Sequence, residues 1–171
     1  MDFTLRFRTN AQNDLIIKKL VLQSKYMHKL LQKVAVEAER HEYDSGADYK
    51  LAAMIVKGGA IISVGFNKRQ TNSFVEHYHT LANGKKDFCL STHAEMDAVL
   101  QVRSKVDLCG SKIYVARIRK NEKIGHLAMA KPCRVCQRVL LSYGIKRAIY
   151  TIDDFNYGVL KVSKESICEN E

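Results

Sequence analysis

The sequence predicts an α/β fold of three layers, in which a mixed central sheet of about five strands carries helices on both faces. Helical and extended patterns alternate along the chain in the order helix, hairpin, helix, strand, helix, strand. This alternation is typical of a sheet that is covered by helices. The length of 171 residues and the hydrophobic content of 46% fit a single domain with a substantial core.

The pattern of apolar residues in the first part of the chain predicts a long helical region followed by a hairpin. Apolar residues in the range 12–41 recur at spacings of three, four and seven, which predicts one helix, or two helices with a break near Ser24. We expect this N-terminal helical segment, residues 1–50, to pack on a core formed by residues 51–165. Apolar runs on both sides of Gly58 and Gly59 predict a hairpin over residues 50–67, with its tight turn at the two glycines.

The rest of the chain alternates between loops, helices and strands. Residues 68–90 are mostly polar, so they predict a long loop that can cover a site, and residues 120–131 predict a shorter flap. Gly144 is expected to end a helix, and the last eight residues are expected to fray. The remaining predicted elements are a helix over 93–105, a strand over 113–119, a helix over 132–143, a strand over 146–152 and a short strand over 159–162.

Composition excludes some classes of protein and indicates a compartment. No run of about 18 apolar residues is present, so we expect no membrane span, and the first eight residues lack the apolar core of a signal peptide. Five cysteines are an odd number, and Cys89, Cys109 and Cys168 are expected to be reduced thiols rather than a disulfide framework. These features predict a cytoplasmic protein.

The net charge of +10 is concentrated near the later cysteines. Residues 1–50 contribute only +2 of it. The segment that brackets the cysteines holds a single acidic residue, Glu122, and seven basic residues: Arg117, Arg119, Lys120, Lys123, Lys131, Arg134 and Arg138. Such a field attracts anions, so it indicates an anionic substrate, although a solvated basic surface explains the same composition.

The residues with the most specific chemistry are His93 and Glu95, together with Cys133 and Cys136 about forty residues later. A histidine and two cysteines supply three zinc ligands, which leaves an open position for water. Glu95 is then free to act as a base. Cysteines three residues apart share one face of a helix, and Pro132 suits a first helical turn. A closed structural zinc site, or two unrelated cysteines in a reduced core, are the alternative interpretations.

Both groups of ligands are expected at the N-terminal ends of helices. Ser91 and Thr92 are candidate N-caps for the helix that follows His93. The positive end of a helix stabilises the thiolate form of cysteine that zinc binding requires. The sequence therefore predicts that two helix ends meet at a zinc ion.

The pattern of a histidine, a glutamate two residues later and Pro-Cys-x-x-Cys resembles the zinc-dependent cytidine and deoxycytidylate deaminase superfamily. The resemblance covers roughly residues 51–150 and implies a cytidine-deaminase-like fold. It implies Zn²⁺ held by His93, Cys133 and Cys136, with Glu95 as the catalytic proton shuttle. It also suggests that the backbone N–H of Ala94 contacts the base. Members of the superfamily are often dimers to hexamers, so a homo-oligomer is compatible with the sequence.

Two further residues are compared with the superfamily. Gly65-Phe66-Asn67 resembles the segment whose asparagine holds the sugar of the substrate, so Asn67 is a candidate binding residue, and an ordinary turn asparagine is the alternative. Asp97 stands where deoxycytidylate deaminases commonly have asparagine.

Three residues of the predicted loop could form a second metal site. Some deoxycytidylate deaminases carry an extra structural zinc in this region, and His77, His79 and Cys89 are the candidate ligands here. The alternative, which we favour, is that the two histidines lie on the surface without a metal. Together with Tyr78, they could otherwise stack on a base or contact phosphate.

The resemblance implies a zinc-dependent hydrolase that converts cytosine to uracil in a (deoxy)cytidine nucleotide or nucleoside. An alternative is a deaminase that acts on cytosine or adenosine within single-stranded DNA, RNA or tRNA, which the basic segment favours. Phe74, Tyr78 and Phe88 could then stack on bases, although the chain has no tryptophan. A third alternative is a non-catalytic zinc protein that binds nucleic acid, for which Glu95 would have no use.

Overall fold

The computed structural model describes residues 29–42, 49–70, 72–83, 91–104, 108–119 and 126–163. Within these ranges no helix is long and apolar enough to cross a membrane. The helices are α1 (Lys29–Arg40), α2 (Ser73–Asn83), α3 (Ala94–Leu100) and α4 (Arg134–Ser142), and the strands are β1 (Tyr49–Lys57), β2 (Ala60–Phe66), β3 (Lys112–Arg119), β4 (Leu127–Ala128), β5 (Arg147–Thr151) and β6 (Tyr157–Lys161).

The six strands form one mixed sheet in the order β2-β1-β3-β5-β6, and the short β4 pairs with β3. All pairs are antiparallel except β3 with β5, which run parallel. Parallel neighbours need a crossover, and α4 lies in the connection between them. The predicted α/β class with a mixed sheet is confirmed.

The two faces of the sheet hold separate apolar clusters, as the alternation of side chains along a strand requires. On one face α1 packs against β1 and β3, with Leu31 and Val34 buried against Met54. On the other face α3 and α4 cover the sheet, and their side chains surround Ile113 and Val115. Alternate residues of β3 therefore belong to different clusters, and helices lie on both faces as predicted.

The hairpin of β1 and β2 turns at Gly58 and Gly59, as predicted. Both glycines have positive φ angles, +57° and +85°, a backbone conformation that residues with a Cβ rarely adopt. At the other end of β2, Gly65 lies directly against the backbone of α3. A Cβ at this position would lie 2.1 Å from the backbone nitrogen of Ala98 and 2.5 Å from the carbonyl oxygen of Ala94. The absent side chain is therefore what lets α3 approach the sheet.

The prediction of a long loop over residues 68–90 is wrong in its central part, where α2 forms. Asn72 accepts a hydrogen bond from the backbone N–H of Val75 at 3.0 Å, which caps the start of this helix. Val75 is fully buried, and Phe74 and Tyr78 pack against the same core cluster. The helix forms because this apolar side packs against α4.

Other elements differ from the prediction mainly in their ends. The helix predicted over 93–105 ends at Leu100, and the one predicted over 132–143 begins at Arg134. Part of the predicted flap, Leu127–Ala128, is strand β4. Gly144 ends α4 with φ of +74°, as predicted. Residues 12–28 of the first predicted helix, residues 120–125 of the flap and the tail from 164 lie outside the described residues.

We expect Gly65→Ala to destabilise the fold by about 3 kcal/mol or more, because the new methyl group meets backbone atoms of α3 that cannot rotate away. Urea unfolding of the purified variant measures this change. The control is Gly110→Ala, where φ is +77° but nothing lies within 4 Å, so we expect only a strain cost of about 1 kcal/mol. Equal losses in the two variants would contradict the steric explanation.

Candidate active site

The N-terminal ends of α3 and α4 bring the predicted ligands together. His93 is the N-cap of α3 and Cys133 is the N-cap of α4, both with extended backbone conformations. Cys136 lies in the first turn of α4 and is fully buried. The expectation that both groups of ligands lie at helix N-termini is confirmed. Ser91 and Thr92 are not the caps, which the sequence analysis predicted wrongly.

Thr92 has a different role, which explains why it does not cap the helix. Its backbone N–H and C=O exchange hydrogen bonds with Lys68 at 2.8 and 2.9 Å, and its hydroxyl donates to the carbonyl of Gln70. These bonds tie the segment after β2 to the start of α3. Pro132 lies just before α4, and its carbonyl accepts a hydrogen bond from the buried side chain of Gln137 at 2.8 Å.

The three candidate ligand atoms fit a tetrahedral zinc ion. His93 Nδ1 lies 3.4 Å from the sulfur of Cys133 and 3.3 Å from that of Cys136, and all three atoms are within 4.8 Å of one another. Zinc bonds of about 2.3 Å to sulfur and about 2.0 Å to nitrogen place such donors about 3.5 Å apart. Among the described residues this is the single group of this kind, and it has three members, not four.

The pKa values of His93, Cys133 and Cys136 depend on one another because the three side chains are in contact. The hydrogen bond from Cys136 lowers the pKa of Cys133 to about 4, helped by the hydrogen bond and charge of His93. The hydrogen bond to Cys133 in turn raises the pKa of His93 to about 9. The pKa of the Cys136 thiol is raised because it donates to Cys133 and is buried. These shifts favour a thiolate at Cys133 beside a protonated His93 and a neutral thiol at Cys136.

Glu95 lies in the first turn of α3 and is only 3% exposed. Burial raises the pKa of its carboxyl group, and the positive charge of His93 opposes this effect. Its Oε2 atom is buried and has no hydrogen-bond partner among the described residues. A buried carboxylate oxygen without a partner is costly, so a ligand or water proton at this position would satisfy it.

These groups open into a cavity of about 550 Å³, within the range for small-molecule sites. His93, Glu95 and Cys133 line it. The rest of its wall comes from distant parts of the chain: His41, Glu42, Tyr49, Leu51, Asn67, Lys68, Arg69, Gln70, Ser91, Thr92, Arg117, Met129, Ala130 and Lys131. Tyr49 was not predicted to be a wall residue, because the register between β1 and β3 brings it there. Of the seven basic residues predicted near the cysteines, Arg117 and Lys131 line the cavity.

The two predicted substrate-binding residues occupy different places. Asn67 lines the cavity, and its side-chain oxygen accepts a hydrogen bond from the backbone N–H of Leu51 at 2.8 Å. Its amide nitrogen lies 3.4 Å from the carbonyl of Tyr49. Ala94 is fully buried at the first position of α3, where a backbone N–H has no intrahelical acceptor.

Asp97 joins the cavity wall to α3. Its carboxylate lies 2.7 Å from the ammonium of Lys68 and accepts a hydrogen bond from the backbone N–H of Phe66 at 2.9 Å. Its side chain is 6% exposed, whereas that of Lys68 is 42% exposed. Asp97 therefore holds the end of β2, and with it the loop that carries Asn67, at a fixed position against α3.

The proposed second metal site is not tested by the structure. Cys89 lies outside the described residues, and His77 and His79 lie on α2. The ring of His79 meets that of His93 edge-on, with the centroids 6.3 Å apart. His77 is exposed and makes an edge contact with Tyr78.

Comparison with known proteins gives the family. The model of the cytidine and deoxycytidylate deaminase zinc-binding region matches residues 25–152. The chain therefore belongs to the cytidine and deoxycytidylate deaminase family. Members of this family are hydrolytic deaminases, and membership supports an enzymatic role for the chain.

Two solved structures are similar to the chain at low sequence identity. The dCMP deaminase from the cyanophage S-TIM5, in complex with dCMP and dUMP, is 15% identical, with a TM-score of 0.44 over 73% of this chain and 83% of that chain. RibD of Acinetobacter baumannii is 17% identical, with a TM-score of 0.41 over 78% of this chain and 29% of that chain. No curated protein sequence matches the chain.

We expect zinc binding at pH 7 to release about two protons, one from His93 and one from Cys136, because zinc takes neutral imidazole and thiolate ligands. Since Cys133 loses its proton near pH 4 and His93 near pH 9, the apparent affinity should fall about 100-fold per unit of pH between about pH 8 and pH 5. Competition with a chelator at several pH values measures it. Cys109→Ala removes an exposed thiol and should change nothing; a pH-independent affinity would contradict the prediction.

We expect Asp97→Asn to lower stability by about 1–2 kcal/mol, because the amide keeps the bond from Phe66 but loses the charge that pairs with Lys68. Lys68→Met should cost a comparable amount, because it leaves the buried carboxylate of Asp97 without its counter-ion. Unfolding of both single variants and the double variant measures the coupling between the two residues. Additive losses would show that the ion pair contributes nothing.

Proposed function

We propose that the protein is a zinc-dependent hydrolase that converts cytosine to uracil in a (deoxy)cytidine nucleotide or nucleoside. One observation carries this proposal: Glu95, with a buried carboxylate oxygen that has no partner among the described residues, lines the same cavity as His93 and Cys133, two of the three zinc-type donors. The family provides the reaction class. Our assignment of His93, Cys133 and Cys136 as ligands and of Glu95 as the catalytic residue is part of the proposal.

Three donors leave one position of a tetrahedral ion free for solvent. When bound, zinc polarises that water and lowers its pKa, so that a nucleophile is available at neutral pH. Glu95 accepts a proton from the water and donates it to the ring nitrogen beside the amino-bearing carbon. The water oxygen bonds to that carbon. Glu95 then transfers the second proton to the amino group, the carbon–nitrogen bond breaks, and ammonia and uracil are formed.

The environment of Glu95 suits a group that both accepts and donates protons. Burial raises the pKa of its carboxyl group, which stabilises the protonated form that must exist between the two transfers. The family resemblance assigns the backbone N–H of Ala94 to the base and Asn67 to the sugar, and we propose both roles for this chain. Asn67 lines the cavity, which supports its role, whereas Ala94 is fully buried and is not one of the wall residues.

A deaminase of a base within single-stranded nucleic acid is a second candidate. The observation that favours it is the basic wall of the cavity, to which Lys68, Arg69, Arg117 and Lys131 contribute. A groove that tracks a phosphate backbone has this composition. A non-catalytic zinc site is less well supported, because the described residues provide no fourth protein ligand and Glu95 is buried beside the other three.

The partners and location follow from the same proposal. We infer a nucleotide or nucleoside as the partner of the cavity, Zn²⁺ as the cofactor, and a cytoplasmic location. The described cysteines, Cys109, Cys133 and Cys136, are all free thiols, which fits a reducing compartment.

We expect Glu95→Gln to lower the turnover number about 10²–10⁴-fold, because the amide cannot move protons. The variant should keep its zinc, since Glu95 is not a proposed ligand. Ammonia release from cytidine, deoxycytidine and their monophosphates measures turnover, and elemental analysis measures the metal. Glu37→Gln, on α1 and outside the cavity, is the matched control and should be as active as the parent. Near-normal turnover of Glu95→Gln would refute the assignment.

A further inference from the structure

Arg117 lines the cavity and stacks on the ring of Tyr49. It lies near the end of β3, opposite Leu51 of β1, and its side chain lines the same cavity as Glu95. Its guanidinium carbon lies 4.0 Å above the centre of the Tyr49 ring. Stacking on an aromatic ring fixes the plane of a guanidinium and leaves its N–H groups free to bind in that plane.

The charge of Arg117 has no protein counter-ion within the part of the chain that the structure describes. The ion pairs there join Lys50 to Glu39, Lys68 to Asp97 and His126 to Asp154. The Nε atom of Arg117 is buried and also has no hydrogen-bond acceptor among the described residues. The described part of the chain therefore provides neither an anion for this guanidinium nor a hydrogen-bond acceptor for its Nε atom, and the group lines an open cavity where an anionic ligand could pair with its charge.

An anion with several oxygens suits this position better than a neutral acceptor. Guanidinium binds phosphate through two parallel N–H···O bonds, which are charge-assisted and therefore strong. Lys68, which also lines the cavity, already pairs with Asp97, so its charge is largely compensated. Lys131 lines the cavity as well and adds uncompensated positive charge to the field, because it takes part in none of the ion pairs of the described residues.

We propose that Arg117, held in place by the Tyr49 ring, binds a phosphate group of the substrate, so that this enzyme acts on a phosphate-bearing nucleoside and discriminates against the free nucleoside. The proposal rests on the proposed function, which leaves nucleotide and nucleoside open. The phosphate can be the monoester of a free nucleotide or a diester of a single strand. Both sources present the same oxygens to the guanidinium.

The experiment compares Arg117→Gln with the parent on deoxycytidine, dCMP and a short single-stranded oligonucleotide with one cytosine. We expect KM for the phosphate-bearing substrate to rise about 10- to 100-fold, as for the loss of a charge-assisted bond. The turnover number at saturation and kcat/KM for deoxycytidine should change less than about 3-fold. Arg147→Gln removes an exposed arginine of β5 outside the cavity and is the matched control, expected to behave as the parent.

Direct binding separates this inference from the proposed function. Calorimetric titration of dCMP, deoxycytidine and the oligonucleotide into Glu95→Gln protein, with and without Arg117→Gln, needs no turnover. Tighter binding of dCMP or the oligonucleotide than of deoxycytidine, with the difference lost in the Arg117 variant, supports the inference and identifies the source of the phosphate. If Arg117→Gln does not fold, Tyr49→Leu serves in its place, with a smaller effect expected.

Two results would overturn the inference. One is equal binding of dCMP, deoxycytidine and the oligonucleotide by the parent site. The other is a loss of affinity in the Arg117 variant that is the same for all three ligands. Failure of the parent to release ammonia from any of the substrates would instead refute the proposed function, while the binding result for Arg117 would stand on its own.

Discussion

The site depends on the meeting of two helix ends at one point above the sheet. His93 begins α3 and Cys133 begins α4, and the imidazole nitrogen lies within hydrogen-bond distance of both sulfurs. This contact requires α3 to approach the hairpin closely, which the missing side chain of Gly65 allows. Packing of the backbone therefore sets the geometry of the three donors.

Two opposing effects govern the electrostatics of the pocket. Burial disfavours charge on Glu95 and Cys136, whereas the hydrogen bonds that Cys133 accepts favour its thiolate. Among the described residues, the neighbouring positive charge comes from His93 and from the basic residues of the cavity wall. The result is a cavity that has a buried carboxyl group, Glu95, beside the thiolate and several basic side chains in its wall.

Much of this arrangement could be predicted from the sequence because the informative signals are local. The spacing of Cys133 and Cys136 places them on one helical face, the two glycines require a turn, and alternation along β3 assigns its two faces. Helix α2 was not predicted from the sequence, because its apolar side is narrow and its stability comes from contact with α4. The contact between Tyr49 and Arg117 could not be predicted, because it depends on the pairing register of β1 with β3, which no local pattern specifies.

The separation of the three donors along the chain has a consequence for the stability of the folded state. His93 precedes Cys133 by 40 residues, and helix α3 and strands β3 and β4 lie between them. Bringing such distant residues together in an unfolded chain costs loop-closure entropy of about 4 kcal/mol. An ion that binds all three donors therefore selects the folded state, and the population of intact enzyme should follow the concentration of free metal by mass action.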